Sequence, residues 1–334
     1  MPVVVGCSSD PAPGVDAAPE AASVTELAVA AATEEPAIWY DSSPDDQGRR
    51  VVAAFAERFP GATVRHVRLV GGLDIAARMV LEARTSGEAA DVATLAAEQA
   101  RGLYEREVLA EIDWGGFDVA SDMVATPYAL ATATAVFVLL YNPEVVPRPP
   151  GSWDELLDPE WAGRMGSWVS PHALVQLVPV WGEVRAADYA SRFAAQEPVL
   201  FRSTFSLAQS IASGDLPAGV GVWHAAKPLM ESGAPVAVTR LSPAPVSTLY
   251  TVVASGASSP NTARLFASWL ASPQGAMAYD AATGRGSMWV PGTETAAFLA
   301  GIETSEFPFS QGEAASEWMA RFGAEVRGAR AVRP

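Results

Sequence analysis

Ala131-Thr132-Ala133-Thr134-Ala135-Val136-Phe137-Val138-Leu139-Leu140-Tyr141 is the stretch on which the fold turns. Apart from two threonines it is uniformly apolar, and it is rich in β-branched residues and alanine. It ends in Asn142-Pro143 and the Pro/Gly/Trp-rich run Pro147 to Trp153. Such a run reads as a long buried strand. A second long strand is expected from Thr248 to Ala254. Between them lies a complete α/β series. Strands are expected at Met165–Val169, Val199–Phe201, Gly219–Trp223 and Val236–Leu241. Helices are expected from His172, over Ala186–Ala195 and Ser206–Ser213, and from His224. Two long strands that bracket a whole α/β unit predict one lobe interrupted by another.

Upstream the same alternation holds. Ala37-Ile38-Trp39-Tyr40 reads as a strand, and Asp41-Ser42-Ser43-Pro44-Asp45 supplies helix-capping types with acids for a first turn. The next helix carries Val52, Phe55 and Phe59 on one face. Val64–Val70, then Gly71-Gly72 and a helix with Leu73, Ile75 and Met79, form the second unit. Ala90–Leu95 and the helix Ala97–Val108 form the third. The fold class is therefore α/β and two-lobed, with a cleft between the lobes and two hinge strands. Its parts are residues 1–36 as an N-terminal tether, 37–133 as the first part of lobe one, 134–244 as lobe two, and 245–334 as the rest of lobe one with C-terminal helices.

The N-terminus is of another kind. Val4-Val5-Gly6-Cys7-Ser8-Ser9-Asp10 resembles a bacterial lipoprotein box, in which the cysteine is lipidated, although Met1-Pro2-Val3 supplies neither a basic n-region nor a longer apolar core. Cys7 reads either as the lipidated residue, with the true start upstream, or as an incidental thiol. From Ser8 to Pro36 the chain is Ala, Pro, Glu, Ser and Asp with almost no aromatic residue, a composition that suits a disordered tether.

Totals narrow the function classes. The chain has 334 residues, enough for two lobes, and a net charge of −16, which excludes a broad phosphate-neutralising face and hence nucleic acid. Cys7 is the one cysteine, so no internal disulfide and no cysteine-based metal cluster can form. No apolar run reaches the ~20 residues that span a bilayer. Enzyme signatures are absent: there is no G-x-S-x-G, H-E-x-x-H, P-loop or helix-opening G-x-G-x-x-G, and His66, His172 and His224 are scattered.

The order of landmarks resembles the family 1 extracellular solute-binding proteins of type 2 periplasmic-binding-protein fold, near the ferric-iron-type receptors. The matching pieces are Trp39-Tyr40-Asp41-Ser42-Ser43, Ala90-Asp91-Val92, Leu140-Tyr141-Asn142-Pro143, Trp153 to Arg164, Gly233-Ala234-Pro235-Val236, Ser259 to Phe266, and Ser272-Pro273-Gln274-Gly275. The resemblance implies an extracytoplasmic receptor, monomeric and without a cofactor. Its lobes close on a small solute and it delivers the solute to an ABC permease in the membrane. An enzyme on the same fold and a solute sensor for a membrane signalling kinase are the rival readings. In the ferric receptors an adjacent tyrosine pair holds the metal. Here no two tyrosines are adjacent, and the matching stretch reads Val222-Trp223-His224-Ala225.

Ligands of open α/β sheets sit beyond the carboxyl ends of strands, so the loops there carry the candidates. Ser42, Ser43 and Asp45 are either a helix cap with first-turn acids or a cleft wall. Gly72 is a tight turn or a backbone contact. Ser170 and His172 sit where the family often receives an oxyanion, though Pro171 between them lacks an N–H. Arg202 and Ser203 lie in the next such loop, where an arginine suits an anion and a surface salt bridge is the alternative. Trp223 and His224 end a strand, and Trp223 either stacks on a ligand or belongs to the core. Tyr141 is placed near the hinge. The expected ligand is a small anionic solute.

Overall fold

The longest strand, Ala129–Tyr141, changes partners half-way along its 13 residues. The computed structural model describes residues 23–85, 87–328 and the backbone of 332–333. Its strands are β1 (Ala37–Asp41), β2 (Val64–Arg68), β3 (Val92–Ala96), β4 (Val124–Thr126), β5 (Ala129–Tyr141), β6 (Met165–Trp168), β7 (Val199–Phe201), β8 (Ala218–Val222), β9 (Ala237–Thr239), β10 (Ala244–Val253), β11 (Thr304–Ser305) and β12 (Val332–Arg333). The α-helices run α1 (Val24–Ala31), α2 (Asp45–Arg58), α3 (Gly72–Glu82), α4 (Ala97–Tyr104), α5 (His172–Val175), α6 (Val178–Trp181), α7 (Glu183–Ala195), α8 (Thr204–Ala212), α9 (Trp223–Glu231), α10 (Pro260–Leu270), α11 (Pro273–Thr283), α12 (Glu294–Leu299) and α13 (Gly312–Arg327).

The sheet order is β12-β7-β6-β8-β5-β10-β3-β1-β2, with β4 and β9 also on β5 and β11 on β10. Residues Leu130 to Val136 of β5 pair antiparallel with β10, in lobe one. Phe137 to Tyr141 pair antiparallel with β8, in lobe two. The register of β5 against β10 slips at Leu249/Tyr250, so the crossing carries a bulge, where extra twist is accommodated. Parallel pairing of β1 with β2 and β3, and of β6 with β7 and β8, makes each lobe a strand–helix unit.

Each lobe has its own core. One apolar cluster covers the lobe-two sheet, from Val136 to Val246. Two others cover the faces of the lobe-one sheet, around Trp39, Phe55 and Phe266 and around Tyr40, Ile75 and Leu103. The C-terminal chain leaves lobe one: Leu299, Phe322 and Val326 join the lobe-two cluster, and α13 lies along α7. Residues 245–334, read from sequence as lobe one with C-terminal helices, thus divide near α12.

The tether is shorter than its composition suggests. Residues 24–31 form α1, capped by Ser23, whose Oγ accepts from the Glu26 N–H, with Leu27 and Ala31 buried against α10. Glu34 then accepts hydrogen bonds from the N–H groups of Asn261 and Thr262 at the start of α10. Composition averaged over the whole segment hides one i, i+4 apolar pair, and that pair is enough once a partner helix covers it. Cys7 and the lipobox lie outside the described residues.

Candidate functional site

The register places the carboxyl ends of both sheets at the junction of the lobes. In lobe two, Val222 at the carboxyl end of β8 pairs with Phe137, next to the point where β5 changes lobe. In lobe one, Ala96 at the carboxyl end of β3 pairs with Leu249, three residues along β10 from Val246, which faces Val136. Loops leaving β1, β3, β6, β7 and β8 therefore meet in one cleft.

One side of the cleft is bridged. His172 opens α5 in lobe two, and its Nε2 lies 2.9 Å from Oε1 of Glu98, in the first turn of α4 in lobe one. The Ser170 hydroxyl is 2.6 Å from His172 Nδ1, and the Trp168 ring stacks on the imidazole at 5.3 Å. A neutral ring that accepts from Ser170 at Nδ1 and donates to Glu98 from Nε2 satisfies both contacts. Burial alone would push the Glu98 carboxyl up; the His172 bond outweighs it and holds the group down at about 2. Nearby, Glu306 accepts from the N–H and hydroxyl of Thr248 on β10. Burial, with a contribution from Glu98, raises Glu306 to about 7.

The deeper part of the junction is a buried charged cluster. Asp41 ends β1 and is fully buried; its oxygens accept from the Ser43 N–H at 2.6 Å and the Tyr279 hydroxyl at 3.0 Å. Against burial, the His66 ring at 3.8 Å, an electrostatic contact rather than a hydrogen bond, and the Arg285 guanidinium at 3.6 Å hold Asp41 well below the usual carboxylate range. Arg285 NH1 donates to Ser42 Oγ and Ser43 Oγ, each at 3.1 Å. Among the described residues no three His, Cys, Asp or Glu side chains are grouped to hold a metal, and no helix is long and apolar enough to cross a membrane.

The candidates read from sequence fall into two groups. Ser42, Ser43, Gly72, Ser170, His172 and His224 come to the junction; a methyl on Gly72 would stand 2.8 Å from Oε1 of Gln99, the neighbour of Glu98. Arg202 is exposed at the carboxyl end of β7, and its carbonyl accepts from Trp168 Nε1 at 3.2 Å. The others are elsewhere or occupied. Tyr141 pairs with Ala218 at the amino end of β8, four residues and about 13 Å from the junction, because β5 runs away from the cleft once inside lobe two. Asp45 is an exposed first-turn acid of α2. Ser203 caps α8, accepting from the Ser206 N–H at 3.4 Å. Trp223 packs face to face on Phe298 of α12 at 4.3 Å, which makes it a packing residue rather than an open platform. Sequence reasoning missed Glu98, which looks like any helix-opening acid, and Arg285, whose signal is its place between Gly284 and Gly286.

The sequence profile of the bacterial extracellular solute-binding proteins matches residues 50–297, most of both lobes. The chain belongs to that family. No curated protein matches the chain of this solute-binding protein. Solved structures share its fold. Iron-bound HitA from Pseudomonas aeruginosa aligns with a TM-score of 0.72 and 17% identity, over 87% of this chain and 99% of HitA. The substrate-binding protein of an ABC transporter from Agrobacterium tumefaciens gives 0.74 and 15%, over 88% and 95%. The periplasmic binding protein AfuA from Actinobacillus pleuropneumoniae, with fructose-6-phosphate bound, gives 0.68 and 18%, over 88% and 98%. The fold is thus type 2 periplasmic-binding-protein α/β, and this solute-binding protein acts on the extracytoplasmic side.

Proposed function

We propose that the protein captures a small anionic solute between its lobes and presents the closed, loaded form to an ABC-type permease. The observation that carries the reading is the course of β5 and β10, which join the lobes, while the strand ends of both sheets face one junction. A solute that touches both walls favours closure by its difference in affinity for the two states.

Anionic chemistry is supported by Arg202, a guanidinium at the carboxyl end of β7 with no ion-pair partner among the described residues. The Ser170 hydroxyl and the Trp168 ring lie at the neighbouring strand end. Of the ligands named for the similar structures, iron for HitA and fructose-6-phosphate for AfuA, the second is of the class an unpaired guanidinium suits. Adjacent tyrosines are missing here. Binding rather than catalysis is favoured because the Ser170–His172–Glu98 chain, although ordered hydroxyl–imidazole–carboxylate, has proline after the serine and so no N–H there for an oxyanion. We place the receptor on the outer face of the membrane, held through Cys7.

Calorimetry with sugar phosphates, oxyanions and dicarboxylates, against polyamines and metal ions, tests the assignment. Arg202→Ala should weaken anion binding by about 1.5–3 kcal/mol, the usual worth of a hydrogen bond to a charged group. Arg202→Lys should restore only part, because the planar fork is lost. Tight binding of a polyamine or a free metal ion, with Arg202→Ala indifferent, would overturn it.

A further inference from the structure

Two polar side chains at the lobe junction are more than nine-tenths buried and each keeps a nitrogen without a partner. Arg285 is 3% exposed and His224 is 5% exposed. Arg285 spends NH1 on Ser42 and Ser43, yet its Nε is buried with no acceptor. His224 is the second residue of α9 in lobe two, and its Nδ1 is buried with no partner. They come from opposite lobes and meet at one place. Gly284, beside Arg285, has φ +70°, and a methyl there would stand 3.3 Å from His224 Cα and 3.4 Å from its Cβ.

The Arg285 segment is held firmly. Its N–H donates to Thr283 Oγ1 at 3.1 Å, and the next residue, Gly286, accepts from the Thr134 N–H on β5 and donates to Asp280 Oδ1 at 2.8 Å. A methyl on Gly286 would lie 2.4 Å from Asp280 Cγ, so the segment that carries Arg285 packs closely on α11. A fixed cationic donor and an imidazole on the facing lobe are suited to a carboxylate or phosphate oxygen.

We propose that Arg285 and His224 form the deep anion subsite of the cleft, taking one acidic group of the solute between the lobes. The inference rests on the anionic reading above and adds to it which residues hold the charge. Charge balance then dictates a consequence. The groups that face His224 are Arg285 and Asp41 across the junction, Lys227 one turn along its own helix, tied to Glu231 and Glu294, and the uncharged Phe205 ring of α8. In the empty site burial, and then Arg285, keep His224 neutral, while Asp41 opposes them. An added anion offsets Arg285, so the imidazole takes a proton from solvent as the solute binds and becomes a second cationic donor. Affinity must therefore fall as pH rises, by up to about tenfold per pH unit.

The test uses the full chain with inorganic phosphate, sulfate and succinate as probes. It follows the melting temperature, calorimetric affinity in buffers of different ionisation heat, and the His224 imidazole resonance. Expected are saturable stabilisation by at least one probe, proton uptake on binding, and a shifted His224 signal. Arg285→Lys, which keeps the charge beside Asp41 but loses the fork, should weaken binding about 10- to 100-fold. His224→Gln should abolish proton uptake; circular dichroism checks that both variants fold. Saturable anion binding that falls with Arg202→Ala but is untouched by Arg285→Lys and His224→Gln refutes this subsite and leaves the anionic reading standing. No saturable response to any of the three probes counts against both.

Discussion

Replacing Glu98 by alanine tests whether the contact with His172 holds the ligand-free lobes together. The two residues belong to different lobes and touch only across the cleft, at 2.9 Å, so opening forfeits the whole interaction. The carboxyl is held from an ordinary 4.5 down to about 2. At 1.36 kcal/mol per unit that is about 3 kcal/mol in favour of the ionised, bonded form. The Glu98 side chain is 23% exposed, so solvent screens only part of it. A hydrogen bond to a charged group contributes about 1.5–3 kcal/mol by a separate route, and about 2–3 kcal/mol is a consistent figure. Its loss shifts the closed-to-open ratio roughly 30- to 150-fold, enough to move a population that was mostly closed. Because the folded value is depressed, the stabilisation is present above about 4.5 and is lost as pH falls through about 2. Solution scattering should show a larger radius of gyration for ligand-free Glu98→Ala, which leaves His172 Nε2 no acceptor, than for the wild type at pH 7. The wild type should expand toward the variant in acid. Superimposable curves at pH 7, with identical acid responses, would refute the latch.

Glu306 has the opposite sign. Its folded value is raised to about 7, so the stability carried by its protonated form is full below about 4.5 and is lost as pH rises through about 7. Urea unfolding of the wild type should weaken by about 1–3 kcal/mol between pH 5 and pH 8, and Glu306→Gln should flatten that dependence. Gly219→Ala should cost about 1–3 kcal/mol, read as a lower melting temperature, since the added methyl would stand 2.7 Å from the Gly166 backbone oxygen in the adjoining strand. Expressed behind a complete export signal, the protein should take up labelled fatty acid and sediment with membranes, and Cys7→Ser should release it; a soluble wild type would count against the anchor.

From Ala37 onward the sequence by itself determined most of the element types and their order. The apolar run Ala131–Tyr141 and the strand at Thr248–Ala254 stand where β5 and β10 are found, because side-chain periodicity and β-branched content are local properties. It also placed Ser170, His172 and His224 just beyond strand ends, since those positions follow from the alternation alone. Only the tertiary structure decided what meets what. That β5 changes lobe between Val136 and Phe137 depends on which strands pair with it, and so Tyr141 could not be removed from the cleft by reading its neighbours. The helix Val24–Ala31 exists because α10 covers Leu27 and Ala31, a partner more than 200 residues along the chain by their numbering. Glu98 finds His172 across 74 residues, and Arg285 finds Ser42 across 243. Charge, burial and hydrogen-bond partners are set by those long-range contacts, and nothing in a local pattern encodes them.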